Sequence, residues 1–281
     1  MKKQLVHTRH IPGHEGLLFC VDFAGDARGR PVIMLHGGGQ TRHAWHGAVL
    51  ALALRGYYVA AMDLRGHGDS SWSAEADYTM RAQVGDVSTV MRQMPSQPAL
   101  IGASMGGQIA MSVGAAEPDS IRALVLVDVT PQIDRIGRSR IIGFMQSRPD
   151  GFLSLEEAAD AIANYLPHRP RPSNLSGLQR NLKLRDDGRY HWHWDQRFLA
   201  SYEPDADEGE RRYTEAARKI RVPTLLLRGA RSEVVTSDNV RHFQKLIPHA
   251  EFADVQDAAH MIAGDRNDAF NAAVIEFLDR I

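Results

Sequence analysis

The chain has 281 residues, 43% of them hydrophobic, and a formal net charge of −1 with a pI near 6.9. That length and hydrophobic content predict a soluble globular protein with one large α/β domain or two small ones. A charge balance so close to zero excludes a general attraction to nucleic acid or to an anionic membrane, so we expect neither as a partner.

Cysteine content and the N-terminal sequence bear on the cellular compartment. The single cysteine, Cys20, excludes an internal disulfide framework and favours a reducing compartment. The first residues, MKKQLVHTRHIPGHEG, start with positive charge but have no apolar region behind it, and no apolar run approaches the length of a membrane span. We therefore predict a cytoplasmic protein.

Short apolar runs alternate with longer amphipathic stretches, a pattern typical of a mostly parallel central sheet flanked by helices. Strands are predicted at residues 17–23, 32–35, 57–62, 99–102, 124–127, 224–227 and 251–255. The last helix has a single apolar stripe formed by Phe270, Val274, Phe277 and Leu278. We expect this stripe to face the sheet.

The α/β alternation is interrupted once, by residues 131–217. Ser154 and Glu157 form a capping-box signature at the start of a helix in this segment, and the strand pattern resumes at Val222. We therefore predict a core of residues 1–130 and 218–281 with an inserted, mainly helical cap of residues 131–217.

The cap contains the sequence HWHW at residues 191–194. As a strand, it places both histidines on one face and both tryptophans on the other. The tryptophans are predicted to dock the cap. Two histidines at this spacing can ligate a metal, but no third ligand is evident nearby, so we predict no metal site.

A serine lies between glycines where a predicted strand passes into a predicted helix. Residues 102–106 read G-x-S-x-G around Ser104, with PALIG before the turn and GQIAMSVGAA after it. A serine on such a sharp turn is held in a strained conformation that exposes its hydroxyl, and glycines are needed where side chains would collide with the strand and helix. Ser104 is therefore a candidate nucleophile.

Two further motifs follow strands earlier in the chain. LHGGG at residues 35–39 is a glycine-rich loop whose backbone N–H groups can form an oxyanion hole with the N–H of Met105. We assign that role to Gly38, with Gly39 as the alternate. DLRGHGDS at residues 63–70 follows the next strand.

HGGG, D-x-R-G-x-G-x-S and G-x-S-x-G, in this order after successive strands, resemble the α/β-hydrolase superfamily in its capped serine esterase, perhydrolase and C–C hydrolase branch. The resemblance covers nearly the whole chain outside the cap and implies the α/β-hydrolase fold. It also implies the chain order nucleophile, acid, histidine. His260, between the predicted strand EFADV and the final helix, occupies the place of the base.

The acid of the implied triad has two candidates. Glu233 follows the strand PTLLLRG, where this superfamily usually has an aspartate, and lies 27 residues before His260. Asp128 ends the strand ALVLVD, where some relatives place the acid. We favour Glu233 and keep Asp128 as the alternative.

The resemblance implies hydrolysis of a carboxylic ester by Ser104, His260 and the acid, through an acyl-enzyme and without cofactor or metal. The expected partner is a small-molecule ester or a related acyl substrate. Perhydrolysis and C–C bond hydrolysis on the same triad are alternatives, and a ligand-binding receptor with a vestigial triad is an alternative of another class. The sequence leaves substrate identity and oligomeric state open.

Overall fold

A computed structural model of the protein describes residues 6–169, 171, 175–201 and 206–281. The strands in these ranges are β1 (Val6–Pro12), β2 (Leu18–Ala24), β3 (Arg30–Leu35), β4 (Tyr57–Met62), β5 (Ala99–Ala103), β6 (Ala123–Val127), β7 (Leu182–Leu184), β8 (Tyr190–Trp192), β9 (Thr224–Gly229) and β10 (Glu251–Val255). The helices are α1 (His46–Leu54), α2 (Met80–Met91), α3 (Met105–Ala116), α4 (Arg135–Gln146), α5 (Leu155–Tyr165), α6 (Phe198–Ser201), α7 (Ala206–Lys219), α8 (Ser237–Leu246), α9 (Ile262–Asp265) and α10 (Asn267–Arg280).

An eight-stranded sheet forms the centre of the molecule, in the order β1-β2-β4-β3-β5-β6-β9-β10. β1 and β2 run antiparallel to their neighbours, and the pairings from β4 through β10 are parallel. Buried apolar side chains cover both faces of the sheet. The predicted α/β-hydrolase architecture, with a mostly parallel sheet flanked by helices, is confirmed.

The strand order places three motif-bearing loops at one edge of the sheet. The chain passes from β3 to β4 on one side and then returns to β5 on the other, so β3 and β5 form a topological switch point. Leu35 pairs with Gly102, and Ala103 pairs with Val127. The residues that follow these pairs, His36, Ser104 and Asp128, therefore leave the sheet at the same edge.

Strand β1 was not predicted from the sequence. It pairs antiparallel with β2 at the edge of the sheet, and Ile11 is its one buried residue. Because an edge strand with two mostly solvated faces needs no apolar alternation, its sequence lacks the signal on which the other strands were recognised.

The last helix packs as its apolar stripe predicts. Phe270, Val274, Phe277 and Leu278 of α10 are all buried, and the ring of Phe270 lies 5.5 Å from that of Trp45. This contact closes one face of the sheet. No helix within the described ranges is both long and apolar enough to cross a bilayer.

Residues 131–217, which we call the cap segment, connect β6 to β9. Its helix α5 has Ser154 as its N-cap, as predicted, and Oγ of Ser154 accepts the N–H of Glu157 at 3.2 Å. The Glu157 carboxylate accepts the N–H of Leu153 at 2.6 Å, rather than that of Ser154 as a regular capping box requires. The rings of Trp192 and Trp194 stack at 4.7 Å within the segment.

Candidate active site

Ser104 lies on the turn between β5 and α3. Its backbone has φ 47° and ψ −117°, a left-handed conformation that costs free energy in a residue with a side chain. A Cβ on Gly102 would lie 2.3 Å from the carbonyl oxygen of Gly106, and a Cβ on Gly106 would lie 2.3 Å from that of Leu35. Both glycines of G-x-S-x-G are thus required by the close approach of strand and helix.

The turn presents Ser104 and the start of α3 to the same edge of the sheet. The Ser104 N–H donates to the carbonyl of Val127 at 3.1 Å, which ties the turn to the end of β6. Ser104 is the N-cap of α3, but its side chain makes no capping hydrogen bond. Its hydroxyl therefore stands at the positive end of the α3 dipole without being used to cap the helix.

The glycine loop after β3 lies against this turn. A Cβ on Gly37 would lie 3.4 Å from Cβ of Ser104, and one on Gly38 would lie 3.8 Å from Sδ of Met105. Within the described part of the chain, the N–H groups of Gly38 and Met105 have no hydrogen-bond acceptor. Two unengaged N–H groups therefore belong to residues that lie side by side at this turn, and an oxyanion hole needs such donors.

Gly39, the alternate donor, is differently placed. Its N–H donates to Nε2 of His67 at 3.2 Å, and Nδ1 of His67 lies 3.0 Å from the carbonyl of Arg65. Because the Gly39 N–H is already engaged by a buried acceptor, it is not available to an oxyanion. The assignment of Gly39 as an alternate donor is wrong on this geometry.

His260 is paired with Asp128. Nδ1 of His260 lies 2.7 Å from Oδ2 of Asp128, whose side chain is 0% exposed. The same carboxylate accepts the N–H of Gly229 at 3.0 Å and the hydroxyl of Ser232 at 2.5 Å. Asp128 is therefore held from three directions, and its contact with Nδ1 leaves Nε2 of His260 as the ring nitrogen free to exchange a proton with a substrate or nucleophile.

The predicted partnership of Glu233 with His260 is wrong. The Glu233 side chain is 64% exposed and forms an ion pair with Arg140 of α4. Ser232, the residue before it, turns its hydroxyl inward to Asp128 instead. The loop after β9 thus supports the Asp128 carboxylate through Ser232 and does not supply the carboxylate that pairs with His260.

A local sequence signal for Asp128 existed. It follows five buried apolar residues of β6, the strand next to the one that carries Ser104, and so leaves the sheet beside Ser104. Its φ of 50° is left-handed, a conformation that aspartate adopts more readily than most residues. The sequence itself shows an acidic residue at the end of an apolar strand, and the position of that strand beside the one that carries Ser104 comes from the tertiary structure.

Buried ion pairs hold the neighbouring loops, and sequence reasoning did not find them. Arg42 pairs with Asp63 of the DLRGHGDS motif and with Asp69 at 2.9 Å. Arg65 forms two contacts with Asp86 of α2, at 2.5 and 2.7 Å. These contacts tie the loop after β3 to the loop after β4, and the loop after β4 to α2.

Three buried histidines lie beside the glycine loop, and burial keeps their imidazole rings neutral. It lowers the pKa of His36 to about 4, and burial together with neighbouring His36 lowers the pKa of His67 to about 3. The pKa of His193 is lowered well below its ordinary value by burial and by His67. Nδ1 of His193 accepts the N–H of Gly68 at 2.7 Å, so the cap segment also contacts the DLRGHGDS loop.

Apolar side chains of the cap segment lie over the glycine loop. A Cβ on Gly39 would lie 3.0 Å from Met145 and 3.3 Å from Trp194, and one on Gly38 would lie 3.8 Å from Phe198. These three side chains are buried. The cap segment therefore limits the space above Gly38 and Gly39.

One group of side chains among the described residues has metal-ligand spacing: Cys20, Asp63 and Asp69. The guanidinium of Arg42 binds both of these carboxylates, and burial raises the pKa of Cys20 to about 11. The group is thus an ion pair of Arg42 with one buried and one exposed carboxylate, beside a neutral thiol. His191 of the HWHW sequence pairs with Asp187 at 2.7 Å.

Comparison with known proteins places this chain in a family. An esterase of Mycobacterium tuberculosis, Rv0045c, is 28% identical over 256 residues, spanning 88% of this chain and 82% of the esterase. The sn-1-specific diacylglycerol lipase ABHD11 of Danio rerio is 26% identical over 267 residues, spanning 91% of this chain and 80% of the lipase. The crystal structure of an E-2-(acetamidomethylene)succinate hydrolase superposes with a TM-score of 0.86 at 20% identity, over 98% of this chain and 99% of that one. The sequence profile of the α/β-hydrolase fold matches residues 30–266, and the chain belongs to that family.

Proposed function

We propose that this protein hydrolyses carboxylic esters through an acyl-enzyme on Ser104, with His260 as general base and Asp128 as the acid that orients it. The observation that carries the proposal is the 2.7 Å contact between Nδ1 of His260 and the buried carboxylate of Asp128. Esterase and lipase names among the relatives support the choice of ester over other acyl substrates.

In the first half of the proposed reaction, Oγ of Ser104 attacks the ester carbonyl while Nε2 of His260 takes the hydroxyl proton. Asp128 holds the imidazole in the tautomer that leaves Nε2 unprotonated and stabilises the imidazolium that forms. The negative charge on the carbonyl oxygen is accepted by the N–H groups of Gly38 and Met105. Each such donor contributes about 3 kcal/mol in serine hydrolases.

Collapse of the tetrahedral intermediate breaks the ester C–O bond, and His260 gives its proton to the departing alcohol. Water then enters, His260 removes its proton, and the resulting hydroxide attacks the acyl carbonyl. A second collapse releases the carboxylic acid and returns the proton to Oγ of Ser104. The cycle needs the ester and water alone.

The test is turnover of an aryl ester together with labelling by a fluorophosphonate. Ser104→Ala is expected to lose both, with kcat falling at least about a thousandfold, because the nucleophile is gone. Ser112→Ala is the matched control: Ser112 lies on the same helix, where its hydroxyl donates to the carbonyl of Gln108 at 2.8 Å. Substantial turnover by Ser104→Ala, or a label mapped to another residue, would end the proposal.

A panel of substrates separates ester hydrolysis from the other reactions open to this triad. Aryl esters of graded acyl length, acetate with hydrogen peroxide, and a vinylogous diketone would be compared under the same conditions. We expect the esters to turn over fastest. Fast diketone cleavage beside negligible ester turnover would reassign the reaction to C–C bond hydrolysis.

A further inference from the structure

A residue of the cap segment contacts the loop that carries His260. Arg169, which lies beyond the end of α5, donates from Nε to Oδ1 of Asp265 at 2.5 Å. The Asp265 side chain is 5% exposed and that of Arg169 is 27% exposed. Because the pair is charge-assisted and largely shielded from water, it is stronger than the usual surface ion pair.

The same pair holds the backbone on both sides of His260. Oδ2 of Asp265 accepts the N–H of Ala259 at 2.9 Å, directly before the histidine. Nη2 of Arg169 donates to the carbonyl of Met261 at 3.3 Å, directly after it. Backbone groups of the two residues next to His260 are thus tied to one ion pair, and one member of that pair belongs to the cap segment.

Gly264 leaves space for the guanidinium of Arg169. A Cβ on Gly264 would lie 2.8 Å from Nη2 of Arg169, so the absence of a side chain at residue 264 lets the guanidinium approach the loop. The imidazole of His168 lies 3.7 Å from the same Asp265 carboxylate. Two neighbouring cap residues therefore converge on one acidic side chain behind the histidine loop.

We propose that Arg169 is a positioning residue for His260, acting through Asp265, so that the placement of the general base depends on the cap segment. The inference rests on the proposed function, in which His260 must meet both Ser104 and substrate. Asp128 fixes the Nδ1 side of the imidazole, and the Arg169–Asp265 pair fixes the backbone from which the ring projects. A displacement of about 1 Å in a catalytic group lowers rates by about a hundredfold.

The test compares Arg169→Ala and Arg169→Lys with the control Arg171→Ala. Arg171 is a cap arginine whose contacts, with Asp160 at 2.6 Å and with the carbonyl of Glu156, both lie within the cap segment. For aryl ester turnover, Arg169→Ala is expected to lower kcat by about tenfold to a hundredfold with KM changed less than about threefold. Arg169→Lys should recover part of kcat because it restores the charge beside Asp265, and Arg171→Ala should match the wild type.

Hydrogen exchange of the Ala259 amide provides a readout that needs no ester turnover. In Arg169→Ala this amide should exchange faster than in the wild type, because Asp265 loses the partner that holds it against Ala259. In Arg171→Ala the exchange rate should equal that of the wild type. Unchanged exchange, or a kcat of Arg169→Ala within about twofold of wild type, would overturn the inference. A kcat of Arg169→Lys no higher than that of Arg169→Ala would also overturn it. Failure of the proposed function is separate: it shows as wild-type protein that neither turns over esters nor takes the fluorophosphonate label.

Discussion

At the residue scale, Asp128 and Glu233 differ in what surrounds each carboxylate. Asp128 is fully buried and accepts from the Gly229 N–H, the Ser232 hydroxyl and His260. Glu233 is solvated and pairs with Arg140. A buried carboxylate with three partners can orient an imidazole, whereas an exposed ion pair contributes little to stability or geometry.

This difference predicts unequal effects of removing each negative charge. Asp128→Asn should lower kcat by about 10³-fold to 10⁴-fold, because an amide does not stabilise the imidazolium and favours the wrong tautomer. Glu233→Gln should change kcat by less than about twofold, as expected for an exposed ion pair. Steady-state kinetics on an aryl ester measures both, with circular dichroism as the control for folding. A larger loss for Glu233→Gln than for Asp128→Asn would contradict the assignment.

At the element scale, the glycine loop after β3 is held by side chains from other loops. The N–H of Gly37 donates to Oε1 of Gln40 at 3.0 Å, and that of Gly39 donates to His67 of the DLRGHGDS loop. Between them, Gly38 keeps its N–H for the site. The bonds on either side thus set the direction of the Gly38 N–H, the loop donor in the proposed reaction.

We therefore predict that His67→Ala lowers kcat by about tenfold to a hundredfold with little change in KM, because Gly39 loses its acceptor and the Gly38 donor shifts. His67→Gln should lose less, since its amide oxygen can accept from Gly39. His46→Ala is the control, because His46 is an exposed residue of α1. Steady-state kinetics on an aryl ester, at a temperature below the melting temperature of each variant, measures the effect. Wild-type kcat in His67→Ala would show that Gly39 needs no such support.

At the scale of the whole molecule, three neutral histidines link folding to pH. His36, His67 and His193 are buried, with each pKa lowered by burial. In the unfolded chain each takes up a proton near pH 6.5. Below that pH the unfolded state binds more protons than the folded state, so the free energy of unfolding decreases as the pH falls from about 6.5 toward 4.

For His36 and His67, the expected loss in the free energy of unfolding between pH 7 and pH 5 is on the order of 1–2 kcal/mol each, and His193 adds a loss in the same direction. Urea unfolding followed by circular dichroism at pH 7, 6 and 5 measures it. His67→Gln removes one of the three histidines that take up a proton on unfolding. The free energy of unfolding of this variant should therefore depend less steeply on pH than that of the wild type. A free energy of unfolding that stays constant between pH 7 and 5 would contradict the prediction.

The sequence by itself determined the strands of the eight-stranded sheet other than β1, the apolar stripe of α10, and the strand-to-helix turn at Ser104; it did not predict the short strands β7 and β8 of the cap segment. Apolar periodicity and glycine spacing are local properties, and they set strand, helix and turn wherever a buried face demands them. Only the tertiary structure decided that Asp128 meets His260, that Gly39 is engaged by His67, and that Arg169 reaches the His260 loop. Those contacts join residues 28 to 132 positions apart. They depend on strand order and on loop paths in space, which no local pattern of residues encodes.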